Sequence, residues 1–225
     1  DDGVGTNVLA LSGADAALFE IDGLELFLKA GAALDFETAS SLDVTVTVDD
    51  ANFGDAPDDS VDLTIAVTDV NEAPTDIIVS SNSVTENQST GTVVGNLSTT
   101  DVDTGNTFTY SLVSGSGDTD NGSFQIVNGQ LQTNASFDFE TKSSYSVRVR
   151  STDQGNLTFE KAFTISVTDV NEAPTGVSLT NTTTSIAENT NTTTRIKVAD
   201  IVVADDALGS ETITLTGTDA SSFEV

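Results

Sequence analysis

The sequence has no cysteine, histidine, methionine or tryptophan, and only 7 lysines and arginines against 36 aspartates and glutamates. Each absence removes a class of function. Without cysteine there are no disulfides, thiol nucleophiles or thiolate metal sites, and without histidine the usual general base and the usual transition-metal ligand are missing. The formal net charge of -29 repels nucleic acid and anionic membrane surfaces and attracts cations, of which only those with a taste for hard oxygen ligands suit this composition. No apolar run approaches the roughly 18 residues of a membrane-crossing helix, and no signal peptide opens the chain, so this segment is expected neither to insert into a membrane nor to carry its own export signal.

What is present is 37% hydrophobic and ordered. Leu42, Val44, Val46 and Val48 alternate with Asp43, Thr45 and Thr47, and Tyr145, Val147 and Val149 alternate with Ser146, Arg148 and Arg150. Val61, Leu63, Ile65 and Val67 repeat the pattern, as do Phe163, Ile165 and Val167. A period of two predicts strands with one buried and one wet face. Short strands, Val and Thr enrichment and turns rich in Gly, Asn, Asp and Ser predict an all-β antiparallel sandwich.

Repetition organises these strands. The string TDVNEAPT covers 68–75 and again 168–175, and Leu34-Asp35-Phe36-Glu37-Thr38 is echoed by Phe137-Asp138-Phe139-Glu140-Thr141. The start of the chain is echoed near its end, where Asp205-Asp206 stand for Asp1-Asp2 and Asp219 to Glu224 for Asp15 to Glu20. The expected organisation is therefore 1–70 as the later part of one domain, 71–170 as a complete domain and 171–225 as the beginning of a further one. Joined, 173–225 and 22–70 make a full repeat of about 100 residues.

In these motifs the chain resembles cadherin domains, specifically the bacterial cadherin-like repeats of large tandem-repeat extracellular proteins. The family's linker D-x-N-D-N-x-P reads Asp69-Val70-Asn71-Glu72-Ala73-Pro74 and Asp169-Val170-Asn171-Glu172-Ala173-Pro174. Its L-D-R-E reads Leu34-Asp35-Phe36-Glu37 and Phe137-Asp138-Phe139-Glu140. Its early glutamate falls on Glu86 and Glu188, its D-x-D on Asp101-Val102-Asp103, and its later loop aspartate on Asp153 and Asp50. Phe replaces the motif's Arg, Glu its second linker Asp and Ala its second Asn, and in the other repeat type Asp1-Asp2 and Asp205-Asp206 replace the D-x-D.

The resemblance implies tandem Greek-key β-sandwiches of the Ig-like, cadherin-like kind joined by calcium-binding linkers. Ca2+ takes six to eight oxygens from carboxylates, carbonyls and water, and extracellular modules hold it at about 10⁻⁴ to 10⁻³ M. One junction would draw on Asp35, Glu37, Asp69, Asn71 and Glu72 with Asp101, Asp103 and Asp153. The next would draw on Glu86, Asp138, Glu140, Asp169, Asn171 and Glu172 with Asp205 or Asp206. Glu188, Asp50, Asp1 and Asp2 are the corresponding positions of the flanking repeats. The expected function is a calcium-dependent extracellular or cell-surface repeat that forms a rigid stalk or fibre for attachment. Its partners would be calcium, neighbouring repeats, and homophilic contacts or extracellular polysaccharide.

Two alternatives belong to other classes: a polysaccharide-binding module of a secreted enzyme, against which the lack of Trp weighs, and a filament subunit assembled by head-to-tail domain complementation. No catalytic residue is expected. Paired carboxylates of a glycosidase kind are disfavoured because the candidate pairs recur in both repeat types.

Overall fold

The structure, a computed structural model, describes residues 6–52, 54, 56–206 and 208–225. In chain order the strands are β1 (Asn7–Ser12), β2 (Phe19–Asp22), β3 (Glu25–Leu28), β4 (Ser41–Asp50), β5 (Asp59–Ala66), β6 (Asp76–Val79), β7 (Ser83–Thr85), β8 (Val93–Thr100), β9 (Thr109–Leu112), β10 (Phe124–Val127), β11 (Gln130–Thr133), β12 (Ser144–Thr152), β13 (Thr158–Thr168), β14 (Gly176–Thr180) and β15 (Asp200–Ala204). Among the described residues the only helical elements are three short 3₁₀ turns, Ala16–Leu18, Asn121–Ser123 and Ala220–Ser222. Each follows an aspartate and precedes a phenylalanine. Asp15 and Asp120 use the same oxygen for the same task, accepting the backbone N–H of Asp43 and of Ser146, both at 2.8 Å.

The chain forms two compact units, one of residues 1–76 with 99–108 and 152–159, the other of 77–98, 109–151 and 160–225. In the first, β1, β4 and β5 form an antiparallel sheet with β4 central, and β2 and β3 form a hairpin. Their common core is small: Phe19, Leu42 and Val44 are buried, with Leu11, Leu18, Leu26 and Val67 packed around them. The alternation of 61–67 predicts a buried face, and here the structure differs. Val61, Leu63 and Ile65 are all exposed. The physical reason is that the β2–β3 hairpin covers only one end of the sheet, and among the described residues no second sheet lies over the rest.

The second unit holds the main core. Strands β10, β11, β8 and β6 form one four-stranded sheet, and β7, β13, β12 and β9 form the other. Val94, Phe124 and Leu131 from the first sheet meet Val84, Val147, Ile165 and Val167 from the second, with Phe137 from the connection after β11. Phe137 stacks on Tyr145 at 4.2 Å, and Phe124 meets Phe137 at 5.3 Å. Burying each such side chain contributes about 1.5–3 kcal/mol, which makes this alternation the main source of stability. The wet side of β12 and β13 is bound by charge instead, with Glu160 paired to Arg148 and Arg150.

One pairing departs from the antiparallel expectation. Strand β7 runs parallel to β13, with Ser83, Val84 and Thr85 opposite Ser166, Val167 and Thr168. This places Glu86, the next residue, beside the end of β13 and the linker that follows it. Farther on, β14 and β15 pair antiparallel.

Candidate metal centres

In the first unit the strand ends and linker bring together Glu37, Asp69, Glu72 and Asp103, with one carboxylate oxygen from each lying within 4.8 Å of all the others. Glu37 comes from the turn before β4, Asp69 and Glu72 from the linker after β5, and Asp103 from the loop after β8. The loop is held by hydrogen bonds. Asp103 donates its backbone N–H to Asp101 Oδ1 at 3.2 Å, and Asn106 Nδ2 reaches both Asp101 and Asp103 at 3.4 and 3.3 Å. Glu72 then docks on the loop by donating its N–H to Asp103 Oδ2 at 3.0 Å. Asn71 Nδ2 donates to the buried Asp153 at 2.9 Å and lies so close to Gly155 that a Cβ there would stand 2.7 Å from its amide.

The second unit repeats this group with one change. Glu86, Glu140, Asp169 and Glu172 lie within the same 4.8 Å limit. Glu86 is 1% exposed and is held from both sides, accepting Phe139 N–H on one oxygen and Val170 N–H on the other, each at 2.7 Å. Asn87 donates to Glu172, whose own N–H bonds Asp206 Oδ2 at 3.1 Å, the counterpart of the Glu72–Asp103 contact. Gly209 stands against Asn171 as Gly155 stands against Asn71.

The other expected residues are placed as follows. Asp35 and Asp138 are in neither group of four: each turns both oxygens back on the threonine three residues on, Thr38 or Thr141. Asp101 and Asp153 flank the first group through Asn106 and Asn71, and Asp205 adjoins the second through its neighbour Asp206. Asp50 accepts from Asn52 and donates its N–H to Asp58, organising its own turn. Glu188 is on an exposed segment. Asp1 and Asp2 lie outside the described residues. Asn87, Asn106, Gly155 and Gly209 contribute without any motif having pointed to them.

Crowding shows in the proton affinities. Burial, then the charges of Asp103 and Glu37, push Glu72 above the ordinary glutamate value of 4.5. Burial, then Glu86 and Asp206, push Asp169 above its ordinary 3.8, and burial with Glu86 and Glu140 raises Glu172. The backbone N–H of Glu140 opposes the same trend, but burial and the charges of Glu86 and Asp169 carry it upward. Burial and then Glu211 raise Asp205. By contrast Asp35 and Asp138 are held low by their threonines, and Glu160 by Arg150 and Arg148.

A pH dependence follows. A carboxyl raised in the fold contributes stability below its unfolded value and loses it as pH rises through the folded one; a lowered carboxyl contributes above its unfolded value and loses it as pH falls through the folded one. Just above the ordinary carboxylate range only the raised groups titrate. In chelator, the melting temperature is therefore expected to rise as pH is lowered from neutrality toward that range, helped by the fall in net negative charge. It should fall only at more acid pH, where Asp35, Asp138 and Glu160 protonate. A steady fall from pH 7 downward would contradict the crowding.

The donor set fits a hard cation. Asp103 Oδ1, Asp169 Oδ1 and Asp205 Oδ1 are each buried without a hydrogen-bond partner, an arrangement that costs free energy unless something positive faces them. All charged groups of both clusters are carboxylates, the ligand type suited to calcium.

Comparison with known proteins finds likeness to cadherins. Residues 80–168 match the cadherin domain. The chain is 34% identical to human Protocadherin-16 over 173 residues, covering 72% of this chain and 5% of that one. It is 29% identical to human Cadherin-related family member 2 over 192 residues, covering 75% of this chain and 14% of the relative. The chain thus spans only a small part of these relatives. Among solved structures, extracellular cadherin domains 1–4 of Protocadherin Gamma B7 align with a TM-score of 0.59 at 26% identity, covering 88% of this chain and 50% of that one. Human Protocadherin-24 EC1-2 aligns with a TM-score of 0.53 at 25% identity, covering 76% and 85%. The all-β Greek-key sandwich is that of cadherin ectodomains.

Proposed function

We propose that this chain is a calcium-dependent structural and adhesive repeat of an extracellular or cell-surface protein, without enzymatic activity. It is read as parts of three cadherin-like domains, 1–70, 71–170 and 171–225, set in a longer tandem array. Calcium held by Glu37, Asp69, Glu72 and Asp103, with Asp101, Asp153 and Asn71 beside them, stiffens the first linker. Glu86, Glu140, Asp169 and Glu172, with Asp205 and Asp206, do the same for the second. The observation that carries this reading is a group of four carboxylates in each unit, three of them at equivalent repeat positions (Glu37 and Glu140, Asp69 and Asp169, Glu72 and Glu172), accompanied each time by a sealed aspartate oxygen with no protein partner. An accidental acidic patch has no reason to recur with the same linker residues.

Stiffness is the useful product. A linker with free torsions spreads its ends over many separations, whereas one pinned by ions transmits reach and force. The partners in this reading are calcium, adjoining repeats and homophilic contacts with like arrays. Nothing favours polysaccharide: the face of Tyr145 is already stacked on Phe137.

Titration calorimetry on the chain in chelator-treated buffer is expected to show saturable calcium binding, and small-angle scattering a larger maximum dimension with calcium than without. Absence of calcium binding at millimolar concentration would sink the proposal. The double variant Glu37→Ala with Glu72→Ala is expected to lower the stoichiometry, and an undiminished stoichiometry would remove these residues from the site.

A further inference from the structure

The second group of carboxylates has a neighbour that no motif assigns and that is not an acid. Glu86, Asp138, Glu140, Glu172, Asp205 and Asp206 line an open cavity of about 460 Å³ in the second unit. Among the described residues no lysine or arginine joins them. Asn87 does, and its Nδ2 amide donates to Glu172 Oε1.

Asn87 is fixed by its own backbone. Its N–H donates to Phe137 O at 2.9 Å, and the N–H of Glu86, one residue earlier, donates to Thr168 O at the end of β13 at 3.1 Å. Its φ of 58° lies in the left-handed region, which asparagine tolerates better than most residues with a Cβ. Asn189, which follows Glu188 in the other repeat type, takes the same conformation with φ 63°. Glycine would satisfy the backbone at both places with less strain, so the repeated asparagine points to a use for its side chain.

Glu172 has need of such a partner. It stands among the charges of Glu86, Glu140, Asp206 and Asp169, and both this repulsion and the freedom of a long side chain favour turning it out to solvent. A lysine at 87 would hold it, but by neutralising it and taking the place of a cation. An amide N–H makes a bond strengthened by the carboxylate's charge, yet leaves that charge and the second oxygen free.

We infer that Asn87 is a positioning residue of the second group: it holds Glu172 toward Glu86, Glu140 and Asp169 against their repulsion, and so raises the affinity for calcium without discharging the site. This is the action of an outer partner that orients a metal ligand. The role rests on the calcium reading above; the Asn87–Glu172 bond does not.

Asn87→Gly keeps the turn and removes the donor. In calcium titrations of the full chain followed by nuclear magnetic resonance, the backbone amides of Val170 and Glu172 read the second group and that of Glu72 reads the first. In Asn87→Gly, half-saturation of the second group is expected to move to about three- to tenfold higher calcium, the effect of one hydrogen bond lost at an exposed position. The first group should stay in place. Asn128→Gly, the same exchange at the β10–β11 turn where φ is 50°, is expected to leave both groups unchanged. In chelator, the side-chain amide resonance of Asn87 is expected to shift when Glu172→Ala removes its acceptor. The inference is overturned by less than about a twofold change in the second group, by an equal change in Asn128→Gly, or by an Asn87 amide that ignores Glu172→Ala. An unaltered chain that binds no calcium while its Asn87 amide responds to Glu172→Ala defeats the calcium reading and the role built on it, but not the bond. Calcium binding that Asn87→Gly leaves untouched defeats the positioning role alone.

Discussion

Replacing Glu86 by alanine is expected to lower the unfolding free energy of the second unit by about 2–4 kcal/mol in chelator, because two backbone N–H donors lose a buried charged acceptor at once. The donors are Phe139 and Val170, both bonded at 2.7 Å to a side chain that is 1% exposed, so water cannot readily take its place. Bonds to a carboxylate are stronger than neutral ones, which favours the upper part of that range. Relief of repulsion with Glu140, Asp169 and Glu172 acts the other way and keeps the loss from being larger. Glu86→Gln retains one carbonyl acceptor and sheds the charge, so its loss should be smaller than that of alanine. On the proposed calcium assignment, the deficit of both variants should grow when calcium is present, since Glu86 is one of the four proposed ligands. Urea denaturation followed through Tyr145 reads all of this; a deficit below 0.5 kcal/mol in chelator, the size of an ordinary surface change, would mean that Glu86 does not hold the linker.

How far the sequence foretells this arrangement varies by residue. The linker acids are legible because they recur: Asp69 and Glu72 share their octapeptide with Asp169 and Glu172, and repetition over about 100 residues selects them from a chain crowded with acids. The strands are legible from alternation, and β4, β5, β12 and β13 fall where it places them. Asp35 and Asp138 make local contacts that the motif does not report. Each is followed three residues on by threonine, whose N–H and hydroxyl capture the carboxylate locally, a turn signal present in the sequence but overshadowed by the motif. The burial of Glu86 could not be read from Val-Thr-Glu-Asn, because it follows from the parallel register of β7 on β13, a long-range pairing. Nor does alternation in β5 say whether anything covers its apolar face. Periodicity reports which side chains share a face, not what lies above it.

Adding calcium to about 10 mM is expected to stabilise each unit by roughly 1.4–2.7 kcal/mol per occupied site, taking a dissociation constant of about 10⁻⁴ to 10⁻³ M and preferential binding to the folded state. Magnesium at the same concentration should do less, since it demands a small octahedral shell and sheds its water reluctantly. The sharper test is a reversal of sign. In calcium, Glu37→Gln with Glu72→Gln should erase the gain of the first unit and leave that of the second. In chelator the same double variant should stabilise the first unit, because Glu72 sits above its ordinary proton affinity through burial and the charges of Asp103 and Glu37, and the amides remove that repulsion without changing side-chain volume. Melting curves of wild type and variant, each with calcium and with chelator, give the four values. A substitution that destabilises in both media would point to lost hydrogen bonding, and one neutral in both to an ordinary solvated patch. Only opposite signs identify a group of carboxylates whose mutual repulsion is tolerated for the sake of a cation.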